Sequence, residues 1–317
     1  SPDGKLGWSS AIYDHAPMIW ETDTGRSRGR LPLAGDASSV EGLAVSPDGA
    51  ALAVASADHV AIVDPLTGAQ RVRVVGKDIV AVAWSPDGAR LAVGHREGRV
   101  DLADARTGKV IKTVRGRDEM FDAVAFSPDG TRLAAAGGAD SAVYVWDAKS
   151  GKQLMKWSAS GSGYNNGIAW LPDGSLALAV GDKRIVIFAA GAKEPTASWP
   201  MPSAISSLGA SADGKLVVAT FDSRVALVDP STGAVVKDLV GGQAAPSRNK
   251  SYANALVVAG GRVITGWESG LVRVFDLADG SESARLAGHR ARVDAVAWSS
   301  DGRFIATGGE DGATILW

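Results

Sequence analysis

The sequence predicts an all-β propeller built of four-stranded blades, and three observations carry that prediction. The turn Ser-Pro-Asp-Gly opens at Ser1 and returns, intact or eroded, at Ser46, Ser85, Ser127, Leu171, Ser211, Val258 and Ser299. Its intervals of 45, 39, 42, 44, 40, 47 and 41 residues suit four-stranded propeller blades and exceed most helical or leucine-rich repeats. Each turn precedes an apolar strand pattern, and short alternating runs separated by turn residues recur in every interval.

Within a unit the elements follow a fixed order, which residues 121 to 158 show most fully. Phe121 to Phe126 alternates apolar and polar as a first strand, and Ser127-Pro128-Asp129-Gly130 turns the chain. Leu133 to Gly137 is the second strand, Ala142 to Trp146 the third, and after the turn at Ser150-Gly151 comes the fourth, Gln153 to Trp157. Proline presets φ for the turn, aspartate bonds the local backbone, and glycine accepts the positive φ that closes a hairpin. Hairpin chemistry therefore accounts for these Asp and Gly residues without a catalytic role.

The C-terminal unit is the most complete. It runs from Gly288-His289 through the strand Val293 to Trp298, the turn Ser299 to Gly302, a strand ending Ala306-Thr307, then Asp311-Gly312 and Ile315-Leu316-Trp317. This unit, and the repeats over essentially the whole chain, resemble the WD40 family. The resemblance implies that His289, Thr307, Asp311 and Trp317 form a buried structural tetrad, in which hydroxyl, imidazole and indole N–H satisfy the carboxylate. Elsewhere the tetrad decays. The matching positions are Arg117, Ala136, Asp140 and Trp146 in one unit, Lys77, Val93, Glu97 and Ala103 in another, and Thr265, Ser269 and Phe275 in the penultimate one. The Trp-Asp pair survives as Trp146-Asp147 and recurs altered as Trp20-Glu21, Val63-Asp64, Val228-Asp229 and Phe275-Asp276.

Ser10, Asp14 and Trp20 repeat the spacing of Thr307, Asp311 and Trp317, so residues 1 to 25 read as a repeat whose first strand would lie upstream. The chain is expected to be a segment cut at both ends from a longer parent, forming one propeller domain over 1–317 with incomplete first and last blades. Eight units in the parent are preferred. The alternative is a seven-bladed ring in which the strand near Arg28 to Leu33 closes against the last unit.

Composition is that of a globular chain, with 45% hydrophobic and 21% charged residues, and no apolar run reaches membrane-spanning length. A net charge of −2 without like-charged blocks gives no general drive toward nucleic acid or membrane surfaces. The absence of cysteine excludes disulfides, thiolate metal sites and cysteine nucleophiles in these residues. It leaves the compartment undecided, with cytoplasm preferred to periplasm. The Ala- and Gly-rich blades have a bacterial style. The histidines, His15, His59, His95 and His289, show no metal-ligand spacing, and neither a phosphate loop nor a nucleophile elbow occurs. No catalytic residue, metal site or cofactor is expected.

What remains is surface. The family's strand order implies that loops leading into first strands and loops between second and third strands share one face. That face would carry the partner-binding candidates Arg96, Arg115, Arg117, Tyr164, Arg248, Lys250, Tyr252, Trp267, Arg290 and Arg292, types common at protein-binding hot spots. The loop from Gly241 to Tyr252 lengthens its repeat to 47 residues and is a natural place to graft recognition. The expected function is a noncatalytic scaffold that binds a protein or peptide, within a larger bacterial protein. The alternative is a periplasmic enzyme or haem-associated electron-transfer propeller with its site in the central channel.

Overall fold

The computed structural model describes residues 5–9, 17–21, 24, 26–31, 40–116, 121, 123–137, 142–159, 167–181, 183–240, 251–298 and 305–317. Among these residues every regular element is a β-strand. Contacts divide the chain into two compact units, Ser1–Gly138 with Ala142–Trp157, and Ala139–Ser141 with Ser158–Trp317.

In the first unit, β1 (Leu6–Ser9), β2 (Met18–Glu21) and β3 (Ser27–Arg30) form a three-stranded sheet. Three four-stranded sheets follow. They are β4 (Gly42–Val45), β5 (Leu52–Ala55), β6 (His59–Val63) and β7 (Gln70–Val75); β8 (Ile79–Trp84), β9 (Arg90–His95), β10 (Arg99–Asp104) and β11 (Val110–Arg115); and β12 (Ala123–Phe126), β13 (Arg132–Gly137), β14 (Ala142–Asp147) and β15 (Gln153–Ser158). The strand near Arg28 pairs with β2, placing Met18 opposite Arg30.

The second unit repeats the plan. Its four-stranded sheets are β16 (Ile168–Trp170), β17 (Leu176–Val180), β18 (Arg184–Phe188) and β19 (Ala197–Pro200); β20 (Ile205–Ala210), β21 (Leu216–Thr220), β22 (Val225–Val228) and β23 (Val235–Val240); and β24 (Ala253–Ala259), β25 (Arg262–Trp267), β26 (Leu271–Asp276) and β27 (Glu282–Ala287). A three-stranded sheet of β28 (Val293–Trp298), β29 (Ile305–Gly309) and β30 (Thr314–Leu316) completes it. Order within each of these eight sheets follows the chain, as expected of blades joined by hairpins. The unit read most fully from sequence is reproduced almost residue for residue by β12 to β15.

Burial explains the composition of each strand. The middle strands β5, β6, β17, β21 and β22 are buried along their whole length, so both faces must be apolar. First strands are half-buried and stand beside one another within a unit, as β4, β8 and β12 do, and β20, β24 and β28. Fourth strands such as β7 and β11 alternate toward solvent and carry Arg and Lys. Indole donors tie neighbouring sheets together. Trp8 Nε1 donates to Pro65 O at 2.9 Å, Trp84 Nε1 to Ala44 O at 2.9 Å, and Trp199 Nε1 to Pro230 O at 3.0 Å.

The two hairpin turns away from the loop side are built by their own side chains. In the Ser-Pro-Asp-Gly turn, Ser46 Oγ donates to Asp48 Oδ1 at 2.6 Å, Ala50 N donates to the same carboxylate, and Gly49 takes φ 70°. The copy at Ser127 repeats this, and its hydroxyl holds Asp129 at a pKa of about 2. The aspartate after the third strand caps the next turn: Asp64 Oδ1 accepts from Leu66 N, Thr67 N and Thr67 Oγ1.

The glycine of that second turn also packs on the preceding sheet. A Cβ on Gly108 would meet Arg73 O at 2.5 Å and Val72 Cγ1 at 2.7 Å. Gly151 meets Lys112 in the same way, Gly233 meets Trp199, and Gly280 meets Lys237. Gly214 has a similar φ of 82° but open space around it. Both Gly214→Ala and Gly108→Ala place a side chain in left-handed backbone, at a cost of about 1 kcal/mol. Only Gly108→Ala adds a backbone collision, so its loss in a denaturant titration is expected to reach about 3 kcal/mol; equal losses would refute the inter-sheet contact.

Candidate functional site

In an antiparallel four-strand hairpin series, the segment leading into the first strand and the turn between the second and third lie on the same side. Polar side chains on that side fall into two groups: those tied into the ends of the sheets, and those facing solvent.

The last sheet carries the fullest internal network. Trp317 Nε1 donates to Thr307 Oγ1 at 2.9 Å, Thr307 Oγ1 lies 2.8 Å from His289 Nε2, and His289 Nδ1 lies 3.0 Å from Asp311 Oδ1. With the Nδ1 proton directed at the carboxylate, Nε2 accepts from the threonine hydroxyl, giving one continuous chain of donors. Asp311 also accepts from Arg290 N at 2.7 Å and Ala313 N at 3.0 Å. A Cβ on Gly309 would strike His289 and Asp311, and one on Gly288 would strike Trp317, which explains both glycines. The four side chains thus join the segment before β28, strand β29, the turn after it and the end of β30.

Other sheets fill the same place differently. In β24 to β27, Trp267 Nε1 donates to Thr265 Oγ1 at 2.8 Å and Arg273 lies over the indole. Ser269 N donates to Ser251 Oγ, linking turn to leading segment as Asp311 and His289 do. In β12 to β15 an aromatic cluster takes over: Tyr144 stacks on Trp146 at 5.7 Å and Phe121 meets both edge-on. Arg117 and Asp140 of that unit lie outside the described residues.

One internal network was not legible from the tetrad template. His95, fully buried at the end of β9, directs Nδ1 at Lys77 O, 2.7 Å away, and its Nε2 lies 3.0 Å from Asp101 Oδ2. Thr113 Oγ1 donates to Asp101 Oδ1 at 2.6 Å. Burial pushes the Asp101 carboxyl up, but His95 and Thr113 outweigh it and hold the group below its ordinary value. The template looks at Val93 and Ala103, each displaced by two residues from the side chains that pair. The ladder register, with Asp101 opposite Val93 and Thr113, is the signal that finds them.

Among the described residues, the solvent-facing candidates fall in both units. Arg96 and Arg115 are exposed in the first unit, with Arg115 3.9 Å from Glu97. In the second unit Arg290 is exposed, Tyr252 is half-buried, and Arg292 Nε donates to Asp294 Oδ1 at 2.5 Å. Trp267 is a correction: it is 4% exposed because its indole turns inward to Thr265, so it cannot anchor a partner. Arg117, Tyr164, Arg248 and Lys250 lie outside the described residues. Sequence reasoning overlooked Phe221, a large apolar residue 38% exposed in the turn after β21 and packed on Tyr252 with ring centres 4.5 Å apart. Among the described residues no cluster of three or more His, Asp or Glu side chains is arranged to hold a metal ion, and no helix is long and apolar enough to cross a membrane.

An all-β chain of hairpin blades, closed by buried threonine, histidine and indole groups, defines the class. Residues 108–147 and 280–317 match the family described as WD domain, G-beta repeat, and residues 68–121 match the anaphase-promoting complex subunit 4 WD40 domain. Over these segments the chain matches WD40 repeats. It is 30% identical to an uncharacterized WD repeat-containing protein of Synechocystis over 54% of this chain and 50% of that protein, thus spanning about half of that relative's length. It is 24% identical to the serine-threonine kinase receptor-associated protein of Gallus gallus over 80% of this chain and 82% of that one. The crystal structure of the computationally designed protein Ika8 superposes with a TM-score of 0.84 at 20% identity, covering 99% of this chain and 93% of that one, which establishes the shared fold.

Asp311→Ala tests the network of the last sheet. At neutral pH it is expected to cost about 3 kcal/mol in denaturant titration, since it strips three donors of their acceptor. The Arg290 amide, followed by His289, holds Asp311 at about 2, below its ordinary 3.8. A depressed carboxylate pKa stabilises the fold above the unfolded value and ceases to do so as pH falls through the folded one. The gap between the native protein and the variant should therefore narrow between about pH 4 and pH 2. A gap independent of pH would reject the assignment.

Proposed function

We propose that this chain is a noncatalytic interaction scaffold that binds a protein or peptide partner through the loops leading into first strands and joining second to third strands. The observation that carries the reading is the division of labour on that side. His59, His95 and His289 are buried and engaged with Asp58, with Lys77 O and Asp101, and with Asp311 and Thr307 respectively. Channel chemistry would need such groups free to meet a substrate. Solvent instead meets Arg96 and Arg115 in the first unit, and Phe221, Arg290 and part of Tyr252 in the second, at strand ends, turns and leading segments. Aromatic and arginine side chains on a rigid platform combine contact area with directional bonds at small entropic cost.

Family members support the reading by analogy. One relative is described as associated with a serine-threonine kinase receptor, which is said of that protein. For the present chain we infer a protein or peptide ligand rather than nucleic acid, in keeping with a net charge of −2. The Synechocystis relative and the composition of the blades suit a bacterial source, with the propeller as one part of a longer polypeptide.

Affinity capture with the immobilised protein tests the proposal. The double variant Tyr252→Ala with Arg292→Ala is expected to reduce recovery of captured partners by roughly tenfold, the scale of hot-spot truncation, while the melting temperature moves by less than about 3 °C. An unchanged set of captured proteins would reject this side of the molecule as the interface.

A further inference from the structure

On the side opposite the loops, the first unit makes a contact between sheets that the second unit leaves open. Arg90, just ahead of the buried Leu91 at the start of β9, reaches across to the sheet β12 to β15. Its Nη1 donates to Ala148 O at 2.9 Å and its Nη2 to Gly130 O at 3.1 Å, with the guanidinium over the Phe126 ring. The two Ser-Pro-Asp-Gly turns there stand close, since a Cβ on Gly130 would meet Pro86 Cδ at 3.4 Å.

Sheets β16 to β19 and β20 to β23 share this plan but differ at the contact. Ser175, ahead of Leu176, stands where Arg90 stands ahead of Leu91, and Gly214 and Pro230 stand where Gly130 and Ala148 do. Both turns are also one residue shorter: Ser85 N bonds Arg90 O and Ser127 N bonds Arg132 O, whereas Leu171 N bonds Ser175 O and Ser211 N bonds Lys215 O. The residue lost from the second turn is Thr131 in its counterpart, whose carbonyl accepts from Ala148 N; Pro230 has no N–H to place. A Cβ on Gly214 would meet nothing within 4 Å. Between these turns lies a cavity of about 340 Å³, lined by Leu171, Pro172, Asp173, Asp213, Gly214 and Pro230.

Groups able to bond a guanidinium are unspent in that lining. Pro230 O takes one N–H, from Trp199 Nε1, and a carbonyl can accept two. Gly214 O accepts no bond among the described residues. Asp129 accepts from Ser127 Oγ, Thr131 N and Thr131 Oγ1, but its counterpart Asp213 accepts, among the described residues, from Ser211 Oγ alone. Asp173 is bonded by Ser175 N and Oγ, which are neutral. Lys215, the cation beside Asp213, is held by Asp229 Oδ2 at 2.8 Å.

From this geometry we infer that the cavity is an open arginine socket, which takes an arginine side chain of a partner chain. Its guanidinium bonds Gly214 O and Asp213, as Arg90 bonds Gly130 O and Ala148 O, and its stem lies against Pro172 and Pro230. Ala210 replaces Phe126 here, so charge on two carboxylates does the work of the ring. A glutamate would meet those carboxylates, and a leucine would leave both carbonyls without a donor. The socket lies opposite the loops of the scaffold reading and does not depend on it.

An NMR titration of the isotope-labelled full chain tests it, using pentapeptides Gly-Gly-X-Gly-Gly in which X is arginine, lysine or citrulline. The arginine peptide should shift the Gly214 and Lys215 amide signals saturably. Lysine, which lacks the planar fork, should bind roughly fivefold more weakly, and citrulline, similar in shape but uncharged, at least about tenfold more weakly. Asp213→Asn should weaken the arginine peptide roughly fivefold. Ser175→Arg should fill the socket from within, abolish the arginine response and leave the melting temperature unchanged or higher. Absence of a saturable shift at Gly214, equal affinity for citrulline, or full arginine affinity in either variant would overturn the socket. Should Ser175→Arg fail to fold, Asp213→Asn and the citrulline peptide decide.

Discussion

Middle strands buried on both faces are the constraint from which the rest of this structure follows. A residue on β5, β17 or β21 finds a neighbouring sheet on either side, so each position there must be apolar or must bring its own hydrogen-bond partner. Ala, Val, Leu and Ile satisfy the first condition and account for most of these strands. The polar exceptions satisfy the second. Thr220 meets Asp222 and Arg224 O, Thr265 meets Trp267, Thr307 meets His289 and Trp317, and Asp101 meets Thr113 and His95. All lie near the loop-side ends of their sheets, where the packing of one sheet on the next gives way to turns.

Erosion of the tetrad thus changes the means and keeps the result. The last sheet ties its leading segment to its turn through a charge-assisted histidine and carboxylate. The sheet before it uses Ser251 and Ser269, and β12 to β15 substitute three packed rings, two stacked and one edge-on, for the polar relay. The aromatic cluster contributes through area and ring geometry, and leaves the buried Tyr144 hydroxyl without a hydrogen-bond partner among the described residues, while a buried carboxylate contributes only as long as its donors remain in place. The loop side is held by several unlike mechanisms, which differ in how they respond to acid.

Much of this was legible in the sequence because the repeat is written twice, once in turns and once in strands. Ser-Pro-Asp-Gly marks the first hairpin of a unit wherever it occurs, and alternation locates β12 to β15 closely. Asp64 and Asp147 were visible as the residue after an apolar third strand, although their role as turn caps appears only in their bonds to Thr67 and Ser150. Three things could not be read. Trp267 ends β25 beside a turn, where an aromatic looks like an exposed anchor, and only the position of Thr265 shows that its indole points inward. His95 and Asp101 were missed because family spacing directs attention to residues two places away; the ladder sets Asp101 opposite Val93 and Thr113, and His95 reaches it diagonally from two residues further along β9. Phe221 escaped because a lone aromatic beside a turn has no sequence signature of exposure.

Where backbone strain falls adds a last step. Among the described residues, the non-glycine residues with left-handed φ are Asp78, Lys183 and Ser223, and each lies in a segment leading into a first strand or in a turn between second and third strands. The hairpins on the opposite side use glycine at their left-handed positions, for example Gly49, Gly108 and Gly151. A side chain in that conformation costs about 1 kcal/mol or more, which persists only where surrounding bonds determine the backbone. On the opposite side Gly108, Gly151, Gly233 and Gly280 pack on the preceding sheet, while Gly191 and Gly214 have open space around them. On the loop side the left-handed positions are mixed: Gly98, Gly270 and Gly312 are glycine, Asp78 and Lys183 carry exposed side chains, and Ser223 turns its hydroxyl to Ser251 O, so there the surrounding bonds rather than residue type alone fix the backbone.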